Sequence, residues 1–503
     1  MQIEYIIVQA GGKGTRLELL TKNKPKALVP VYNLPMLFHL FHKFPDKKFV
    51  IIGDYKKEVL RNYLSAFADV KYIFIDAMNA TGTCAGIEES LKRIPENIPF
   101  MLIWCDLILP EQFQMPVIED NYIGISKDFR CRWSYINGDM VEEPSNEHGV
   151  AGLFVFKNKK ILEGVNLSGE FVRWLQTKGE VYKELDLSGT KEFGIMEEYN
   201  KLQIERCRPF NKMVVTDNKI VKEGIGNQGC ALTIREKNWY KFVKEKGFIH
   251  IPEIYDFEPL TMEKINGRNV YEYQIAVEEK KIILTKIVDY LKELHSLGRC
   301  DADCFSMKEA YISKTIGRLN KVRNLIPFAD QKRIVINGKS CKNVYFYQKE
   351  FEERLEKLTI TDFRLIHGDC TFSNIMLKDD EEPILIDPRG YFGHTEIYGD
   401  IAYDWAKLYY SIKGNYDKFN IKDFKLNIEE NEVVLEIASN GWEELEDYFF
   451  DLICSEVNVV DIKLIHAVIW LSLTTYAWQD YDSICGAFYN GLYYLEEVQN
   501  ELF

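Results

Sequence analysis

The chain has 503 residues, and at about 100–200 residues per domain this length predicts about three compact units. Apolar residues make up 46% and charged residues 28%, a composition typical of soluble globular proteins. The 63 basic and 77 acidic side chains give a formal net charge of −14. Non-specific nucleic-acid binding depends on neutralising phosphates, so an acidic chain without a long basic run predicts no nucleic-acid partner.

Targeting and membrane signals are weak along the chain. No basic segment followed by an apolar core opens the sequence, so a cleaved signal peptide is not expected. The most apolar long stretch, residues 462–478, is interrupted by Lys463 and His466 and predicts a buried helix rather than a membrane span. The 11 cysteines include no CxxC pair, which is typical of free thiols in a reducing compartment. We expect a cytoplasmic protein without membrane insertion, and the sequence indicates no oligomeric state.

The first two hundred residues alternate short apolar runs with amphipathic stretches. Strands are predicted at residues 5–8, 49–52, 72–75, 100–103 and 152–156. Helices are predicted between them at residues 34–44, 57–67 and 85–93. Such alternation predicts an α/β fold with a doubly wound, mostly parallel sheet covered on both faces.

The pattern changes near residue 208. Residues 212–224 predict a hairpin with Asp217 and Asn218 at its turn. The chain is helix-rich after about residue 275, apart from a strand–loop–strand stretch at residues 364–386. We therefore predict one domain over residues 1–208 and a two-lobed α+β domain over residues 209–503. Its small lobe would span residues 209–270 and its helical lobe residues 271–503.

A glycine-rich loop follows the first predicted strand. Residues 8–17 read VQAGGKGTRL, in which glycines let backbone amides approach phosphates while Lys13 and Arg16 supply positive charge. A second basic element, KPKAL at residues 24–28, is able to reach the same phosphates. The loop lacks the GK[ST] ending of a Walker motif. This combination predicts a nucleoside triphosphate site.

The first 205 residues resemble the nucleotidyltransferase family that includes sugar-1-phosphate nucleotidyltransferases and phosphocholine cytidylyltransferases. Further matches are GTCAG at residues 82–86, WCD at residues 104–106 and DLSGT at residues 186–190. The resemblance implies that Asp106 and Asp186 hold Mg²⁺ and that Arg16 and Lys26 are catalytic, neutralising the triphosphate. It implies nucleotide binding by Ala10, Gly11, Gly12, Lys13, Gly14, Thr15, Gly82 and Thr83.

The chemistry implied is nucleotidyl transfer. A phosphate oxygen of the substrate attacks the α-phosphorus of a nucleoside triphosphate, and pyrophosphate leaves. Glu143 stands where sugar-specific enzymes often carry a lysine, which favours a phosphorylated amino alcohol. The GTCAG and DLSGT segments favour a sugar 1-phosphate, so both substrate classes stay open.

A second catalytic motif lies in LIHGDCTFSNIM at residues 365–376, followed by Asp387 in ILIDPRG. The order parallels the protein-kinase catalytic loop. There an Asp accepts the substrate hydroxyl proton, while an Asn and a separate Asp hold magnesium. Asp369, Asn374 and Asp387 match these three positions. The pattern predicts phosphoryl transfer from ATP to a hydroxyl group.

Residues 210–503 resemble the aminoglycoside phosphotransferase and choline kinase superfamily. The resemblance implies that Asp369 is the catalytic base and that Asn374 and Asp387 bind Mg²⁺. It implies that Lys222, at a strand position, binds the nucleotide phosphates and pairs with Glu236 at the start of the following helix. Lys219 is the alternative lysine. Residues 260–265, including Glu263 and Ile265, resemble the hinge that contacts adenine.

Together the motifs predict a bifunctional enzyme. It would phosphorylate a small hydroxyl compound with ATP and couple the product to a nucleoside monophosphate from CTP, slightly ahead of UTP. The nucleotide-activated sugar or amino alcohol would serve cell-surface glycan synthesis, and its partners are small molecules. A glycosyltransferase is an alternative, but the Cys105-Asp106-Leu107 segment lacks an Asp-x-Asp motif. A non-catalytic regulator on the same folds is another, and the intact kinase motif disfavours it.

Overall fold

The computed structural model describes residues 2–77, 80–202, 211–358 and 360–501. It divides into two compact units. The first comprises Met1–Ile204 with Trp478–Asp482, and the second comprises Glu205–Ala477 with Ser483–Phe503. The boundary that we predict at residue 208 lies outside the described residues. None of the helices in these ranges combines the length and the apolar character that a membrane crossing requires.

A nine-stranded mixed sheet forms the centre of the first unit. The strands of this unit are β1 (Tyr5–Gln9), β2 (Pro30–Val31), β3 (Leu34–Pro35), β4 (Lys48–Gly53), β5 (Lys71–Asp76), β6 (Phe100–Trp104), β7 (Leu107–Ile108), β8 (Tyr122–Ser126), β9 (Ser134–Ile136), β10 (Asp139–Val141), β11 (Gly149–Phe156), β12 (Lys183–Asp186) and β13 (Lys191–Glu192). Its α-helices are α1 (Met36–Lys43), α2 (Lys57–Phe67), α3 (Ile87–Leu91), α4 (Phe171–Gln176) and α5 (Met196–Asn200).

Strand direction divides this sheet into two parts. Strands β5, β4, β1 and β6 run parallel, as the alternation of strands and helices predicts. The predicted strand at residues 152–156 lies within β11, which runs antiparallel to both β6 and β8. All eight residues of β11 are buried. A strand covered on both faces reads as a continuous apolar run in either direction, so its sequence does not reveal its orientation. The predicted α/β fold class is confirmed.

The parallel strands place their carboxyl ends at one edge of the sheet. In the register of the sheet, Gln9 at the end of β1 lies beside Ile52 of β4 and Trp104 of β6. The glycine-rich loop follows β1 directly, and Asp106 follows β6. Ligands of open α/β sheets bind beyond the carboxyl ends of the strands. The sheet therefore positions both predicted motifs at the same edge.

The second unit begins with a small antiparallel sheet and continues into a helix-rich part. Its strands are β14 (Asn211–Val215), β15 (Lys219–Gly224), β16 (Ile254–Phe257), β17 (Leu260–Glu263), β18 (Gly267–Asn269), β19 (Arg299–Asp301), β20 (Arg333–Ile336), β21 (Lys339–Lys342), β22 (Asp362–Leu365), β23 (Ile375–Lys378), β24 (Glu382–Leu385), β25 (Tyr391–Phe392), β26 (Thr395–Glu396), β27 (Tyr398–Gly399), β28 (Phe424–Ile428) and β29 (Val433–Ile437). Its α-helices are α6 (Gly226–Glu245), α7 (Val277–Ser296), α8 (Cys304–Lys308), α9 (Lys314–Val322), α10 (Gln348–Leu355), α11 (Ile401–Ile412), α12 (Tyr416–Asn420), α13 (Glu446–Ile453), α14 (Val459–Leu473) and α15 (Tyr481–Glu501).

The small sheet has the order β14-β15-β17-β16, and the predicted hairpin is its β14–β15 pair. The prediction that Glu236 starts the following helix is wrong. Helix α6 begins at Gly226, so Glu236 lies ten residues inside it. The apolar stretch at residues 462–478 contains most of α14, whose residues from Ile462 to Ser472 are almost all buried. Burial on all sides explains why this helix carries no polar face.

Candidate active sites

A cavity of about 660 Å³ lies at the carboxyl edge of the first unit's sheet. It brings together most of the nucleotide-site residues that the sequence predicts, which are Gly11, Gly12, Lys13, Arg16, Lys26, Gly82, Thr83 and Asp106. Ala10 is buried beneath the loop, where its amide donates to the Ile52 carbonyl over 3.0 Å. The cavity is also lined by Gln9, Trp104 and Glu192, which sequence reasoning did not select.

The glycine-rich loop presents unpaired amides and positive charge. Within the described ranges, the N–H groups of Gly12, Lys13 and Gly14 donate to no protein acceptor. Gly14 has φ 65°, and a Cβ there would lie 3.0 Å from Cβ of Lys26, so glycine allows the two basic segments to meet. Thr15 begins the 3₁₀ helix that follows, and Arg16 is exposed. Free amides beside cationic side chains suit phosphate oxygens.

The GTCAG segment is fixed to the end of β1 by a side chain. Gln9 Nε2 donates to the carbonyls of Thr83 and Ala85 over 2.6 and 3.1 Å. Thr83 Oγ1 in turn accepts the amide of Phe171 over 2.8 Å. Gly82 has φ 84°, and a Cβ there would lie 2.4 Å from the Gly169 carbonyl oxygen. The segment is thus a wall of the cavity, held in place by these contacts.

The acidic centre of the cavity differs from the predicted one. Asp106 is buried and forms an ion pair with Lys26. Glu192, on the short strand β13 that pairs with β7, hydrogen-bonds Asp106. Burial and the Asp106 carboxylate raise the pKa of Glu192 to about 7. Burial opposes ionisation of Asp106, but Lys26 prevails and lowers the pKa of that carboxyl.

Asp186, the other predicted metal ligand, lies elsewhere. It ends β12, is exposed, and accepts the amide and the hydroxyl of Ser188 over 3.0 and 2.6 Å. Those two hydrogen bonds lower the pKa of its carboxyl. Among the described residues that line the cavity, Glu192 is present and Asp186 is not. The geometry therefore favours Glu192 over Asp186 as the second candidate metal ligand beside Asp106.

Lys24 of the second basic element does not face the phosphates. Its ammonium is buried and lies 2.9 Å from Asp480 Oδ1 and 2.5 Å from Asp482 Oδ2, both in the segment Trp478–Asp482 of the same unit. These two carboxylates raise the pKa of Lys24 against the effect of burial. Of the two lysines in KPKAL, only Lys26 lines the cavity.

In the second unit, Lys222 stands between two carboxylates. Its Nζ lies 2.8 Å from Glu236 and 2.8 Å from Asp387 Oδ1, and both Lys222 and Glu236 are buried. These carboxylates raise the pKa of Lys222 despite its burial. Lys219 is exposed, with its ammonium 4.8 Å from the centre of the Tyr255 ring. The geometry thus favours Lys222 over Lys219 as the candidate for binding nucleotide phosphates.

The predicted base and its neighbours form a compact group. Asn374 Nδ2 donates to the carbonyl and to Oδ2 of Asp369 over 2.7 and 3.0 Å. Lys407 Nζ lies 2.9 Å from Asp369 Oδ1. Lys407 comes from α11, 38 residues after the motif, so sequence spacing did not indicate it. Asp369 is held with one oxygen toward an amide and the other toward an ammonium.

His367 is a structural residue of the catalytic loop. Its Nε2 lies 3.0 Å from the Ile386 carbonyl, and its Nδ1 accepts the amide of Asp369 over 3.3 Å. Burial lowers the pKa of this imidazole, consistent with a neutral ring that donates from Nε2. The ring links the Asp369 loop to Ile386, which follows β24 and directly precedes Asp387.

Asp404 of α11 anchors the loop that carries Asp369. Its carboxylate is fully buried and accepts the amides of His367 and Gly368 over 2.9 and 2.7 Å. It also lies 3.1 Å from His295 Nε2. Asp400 caps α11 through the amide of Ala402 over 2.9 Å. The two aspartates are scaffold residues rather than metal ligands.

Asp404→Ala is expected to lower the free energy of unfolding by about 2–6 kcal/mol, because it leaves two buried amides without an acceptor at about 1–3 kcal/mol each. Urea unfolding followed by tryptophan fluorescence would measure this loss. Asp330→Ala, at an aspartate whose side chain is 94% exposed, provides the control with little effect. An Asp404 variant as stable as the control would contradict the scaffold assignment.

The predicted adenine hinge has one available donor. The amides of Glu263 and Lys264 donate to the carbonyls of Glu253 and Asn218 over 2.8 and 3.1 Å. The Glu263 side chain accepts from Lys378 Nζ over 2.5 Å. In the part of the chain that the structure describes, the Ile265 N–H has no protein acceptor. The geometry therefore favours Ile265 over Glu263 as the amide donor to a base.

Each site contains side chains that suit Mg²⁺. In the described ranges, no group of three or more His, Cys, Asp or Glu side chains is arranged to hold a metal. Mg²⁺ in nucleotide sites is commonly held by one or two carboxylates together with substrate phosphates and water. Asp106 with Glu192 in the first unit, and Asp387 with Asn374 in the second, fit that smaller requirement.

Comparison with known families matches each unit separately. Residues 5–118 match the nucleotidyl transferase family, and residues 231–430 match the phosphotransferase enzyme family. The chain carries one domain of each family. It is thus a fusion of two transferase-family domains, as the two motifs predict.

Individual relatives align with the nucleotidyl transferase domain. The UTP–glucose-1-phosphate uridylyltransferase AglF of Haloferax volcanii is 33% identical over 100 residues, which are 19% of this chain and 41% of that protein. The CTP:phosphoglutamine cytidylyltransferase of Campylobacter jejuni is 25% identical over 166 residues, 31% and 65% of the two chains. The chain therefore spans less than two thirds of these relatives. The crystal structure of HddC from Yersinia pseudotuberculosis is 20% identical, with a TM-score of 0.34, covering 40% of this chain and 98% of that one.

Proposed function

We propose that the protein is a bifunctional enzyme that phosphorylates a small hydroxyl compound with ATP and couples the phosphorylated product to a nucleotide. The observation that carries this proposal is that each unit holds cationic side chains suited to phosphates beside a pair of carboxylate or amide side chains suited to a metal ion. In the first unit these are Lys13, Arg16 and Lys26 with Asp106 and Glu192. In the second they are Lys222 with Asp387 and Asn374.

The kinase step follows from the position of Asp369. The acceptor hydroxyl loses its proton to Asp369 as its oxygen attacks the γ-phosphorus of ATP, and the bond to the bridging oxygen breaks to release ADP. Lys222 neutralises phosphate charge and is oriented by Glu236. Asn374 holds Asp369 in place through two hydrogen bonds. Bound Mg²⁺ would be held by Asp387 and Asn374 and would supply charge neutralisation at the β- and γ-phosphates.

The nucleotidyl step follows from the phosphate loop. A phosphate oxygen of the substrate attacks the α-phosphorus, and the bond to the β-phosphate breaks to release pyrophosphate. The amides of Gly12, Lys13 and Gly14, with Arg16 and Lys26, neutralise the charge on the leaving group. Bound Mg²⁺ would be held by Asp106 and Glu192. The raised pKa of Glu192 supports this choice, because burial and the Asp106 carboxylate disfavour its ionisation and a bound divalent cation would offset that effect.

The proposal also covers the base of the nucleoside triphosphate and the class of the product. We expect a pyrimidine nucleoside triphosphate, CTP ahead of UTP, at the first unit. The Campylobacter relative is a CTP:phosphoglutamine cytidylyltransferase and the Haloferax relative is a UTP–glucose-1-phosphate uridylyltransferase, which supports a pyrimidine. The activated product would be a building block for a cell-surface glycan or its decoration.

Two separate nucleotide sites are the direct test. Calorimetric titration of the intact chain with ATP in the presence of Mg²⁺, followed by CTP, should show two independent sites of unit stoichiometry. Lys222→Gln should weaken ATP binding at least about tenfold, as expected when a charged hydrogen bond worth 1.5–3 kcal/mol is lost, and should leave CTP binding unchanged. Arg16→Gln serves as the reciprocal variant. One site for which the two nucleotides compete would overturn the bifunctional proposal.

A further inference from the structure

Four cationic side chains surround the acceptor side of the catalytic loop in the second unit. This cationic cluster consists of Lys314, Arg318, Arg389 and Lys407. Lys407 reaches Asp369 Oδ1 at 2.9 Å. The Arg389 amide donates to the His367 carbonyl over 2.9 Å, and its Cβ would lie 2.9 Å from a Cβ on Gly368. The cluster therefore borders the residue that we assign as the base.

Lys314 and Arg318 approach from a different element. Helix α8, the π-helical turn Glu309–Ser313 and α9 follow one another without a break. Tyr311, Lys314 and Arg318 are spaced three and four residues apart, so they share one face of this helix. Tyr311 packs against Phe392 and Tyr403, with ring centres 5.4 and 6.1 Å apart. That face is thereby directed toward Tyr403.

Tyr403 connects the two parts of the cluster. Its hydroxyl accepts from Arg389 Nη1 over 2.8 Å, and Lys407 Nζ lies 5.9 Å from the centre of its ring. Arg389 Nη2 also donates to the Tyr391 hydroxyl over 2.9 Å. Aromatic rings and hydroxyls therefore separate these cations from one another without cancelling their charge.

Lys407 pairs with Asp369, and the other three cations of the cluster have no carboxylate partner among the described residues. Within the described ranges, no Asp or Glu oxygen lies within ion-pair distance of Lys314, Arg318 or Arg389. Arg318 donates to the carbonyl and the hydroxyl of Ser472 over 2.6 and 3.0 Å, both neutral groups. Burial and the neighbouring cations lower the pKa of Lys314 well below its ordinary value. Partly buried cations without counter-charges are stabilised when an anion binds among them.

A cationic acceptor does not fit this arrangement. A quaternary ammonium or amine would lie against the guanidinium groups of Arg318 and Arg389, and the Tyr476 ring, which could otherwise receive it, already faces the Arg318 guanidinium at 5.1 Å. Trp470 and Tyr481 are fully buried in the core and offer no open aromatic face to a cation. The phosphates of ATP are assigned to Lys222, which leaves the cluster for the acceptor.

We propose that the kinase acceptor is a hydroxyl compound that also carries an anionic group, a carboxylate or a phosphate, and that the cationic cluster binds this group while the hydroxyl faces Asp369. The inference rests on the proposed kinase function and narrows its substrate class. In the transfer, the acceptor oxygen gains the γ-phosphoryl group, its proton passes to Asp369 and ADP leaves. The anionic group is unchanged and serves only to orient the substrate.

The first test uses matched acceptors. ADP release by the intact chain is measured with glycerate and glycerol 3-phosphate against glycerol, with glucuronate against glucose, and with choline and ethanolamine. An acidic member should be preferred within its pair, and Lys314→Gln and Arg318→Gln should each raise its KM at least tenfold without changing the KM for ATP. Lys308→Gln, at an exposed lysine of α8, is the matched control. Preference for the neutral or amine compounds would overturn the inference.

The second test works even when the natural acceptor is not among the compounds of the first test. Slow ATP hydrolysis, with water as the acceptor, is measured in acetate, sulfate and chloride at equal ionic strength. Acetate or sulfate should inhibit more strongly than chloride, and both cluster variants should lose this difference at unchanged thermal stability. Equal inhibition by the three anions would show only charge screening by salt, and a raised KM for ATP in the variants would show that the cluster binds ATP. Either result would overturn the inference. Absence of ATP turnover together with absence of ATP binding would instead overturn the proposed kinase function.

Discussion

Asp369→Asn is expected to abolish most ATP-dependent phosphorylation while pyrophosphate release by the first unit continues at its normal rate. The amide keeps the size and one acceptor oxygen of the carboxylate, but it cannot take the acceptor proton. Loss of a general base typically costs about 10²–10⁴-fold in rate. The structure adds a second effect, because Lys407 loses its ion-pair partner beside the reacting hydroxyl. ADP release and pyrophosphate release, measured separately on the same preparation, would test the expectation.

The control for this prediction is Asp330→Asn, which makes the same change at an exposed aspartate of the same unit. It should leave both rates unaltered. A companion variant, Asp387→Asn, should also stop ADP formation by weakening metal binding. Asparagine suits this position, because Asp387 has φ 55° and asparagine tolerates the left-handed region better than alanine does. Loss of both activities in a folded Asp369 or Asp387 variant would contradict the assignment of two separate sites.

Asp106→Ala is expected to slow pyrophosphate release at least about a hundredfold, since one positioned electrostatic partner is worth on the order of 3 kcal/mol in the barrier. The same change removes the ion-pair partner of Lys26. ATP-dependent phosphorylation should persist, because no residue of the second unit's site is altered. Near-normal pyrophosphate release would contradict a metal-binding role for Asp106.

Two further variants distinguish Glu192 from Asp186 as the second metal ligand beside Asp106. Glu192→Gln should reduce pyrophosphate release to an extent comparable with Asp106→Ala, and its loss should be partly relieved by raised Mg²⁺. Asp186→Asn should have a small effect, because its carboxylate is exposed and bonded to Ser188. The reverse ranking would restore Asp186 as the metal ligand.

The sequence was most informative where function is carried by contiguous residues. The glycine-rich loop and the Asp369–Asn374 loop are local motifs, and the structure places the first after β1 and the second between β22 and β23. The alternation of strands and helices indicated the parallel strands β1, β4, β5 and β6. It could not indicate that β11 runs antiparallel, because a fully buried strand has the same composition in either direction.

Residues supplied by distant segments were missed. Glu192 reaches Asp106 only because the two-residue strand β13 pairs with β7, and so short a strand has no sequence signature. Lys407 and Arg318 come from helices whose cationic positions look like solvated faces in the sequence. Asp186 was predicted from the resemblance of the DLSGT segment to a family motif, but its side chain is bonded to Ser188. Long-range pairing, rather than local propensity, decides which charges meet.

A common feature of the two units is that each reactive carboxylate already has a resident counter-ion. Lys26 neutralises Asp106, Lys407 neutralises Asp369 and Lys222 neutralises Asp387. Substrate binding is therefore an exchange of partners rather than a simple gain of contacts. Each lysine gives up its carboxylate and turns to a phosphate or hydroxyl oxygen, so the net electrostatic gain is the difference between two pairings. The protein can thus keep buried charges in the ligand-free state, and its nucleotide affinity should depend less on salt than the number of its cations suggests.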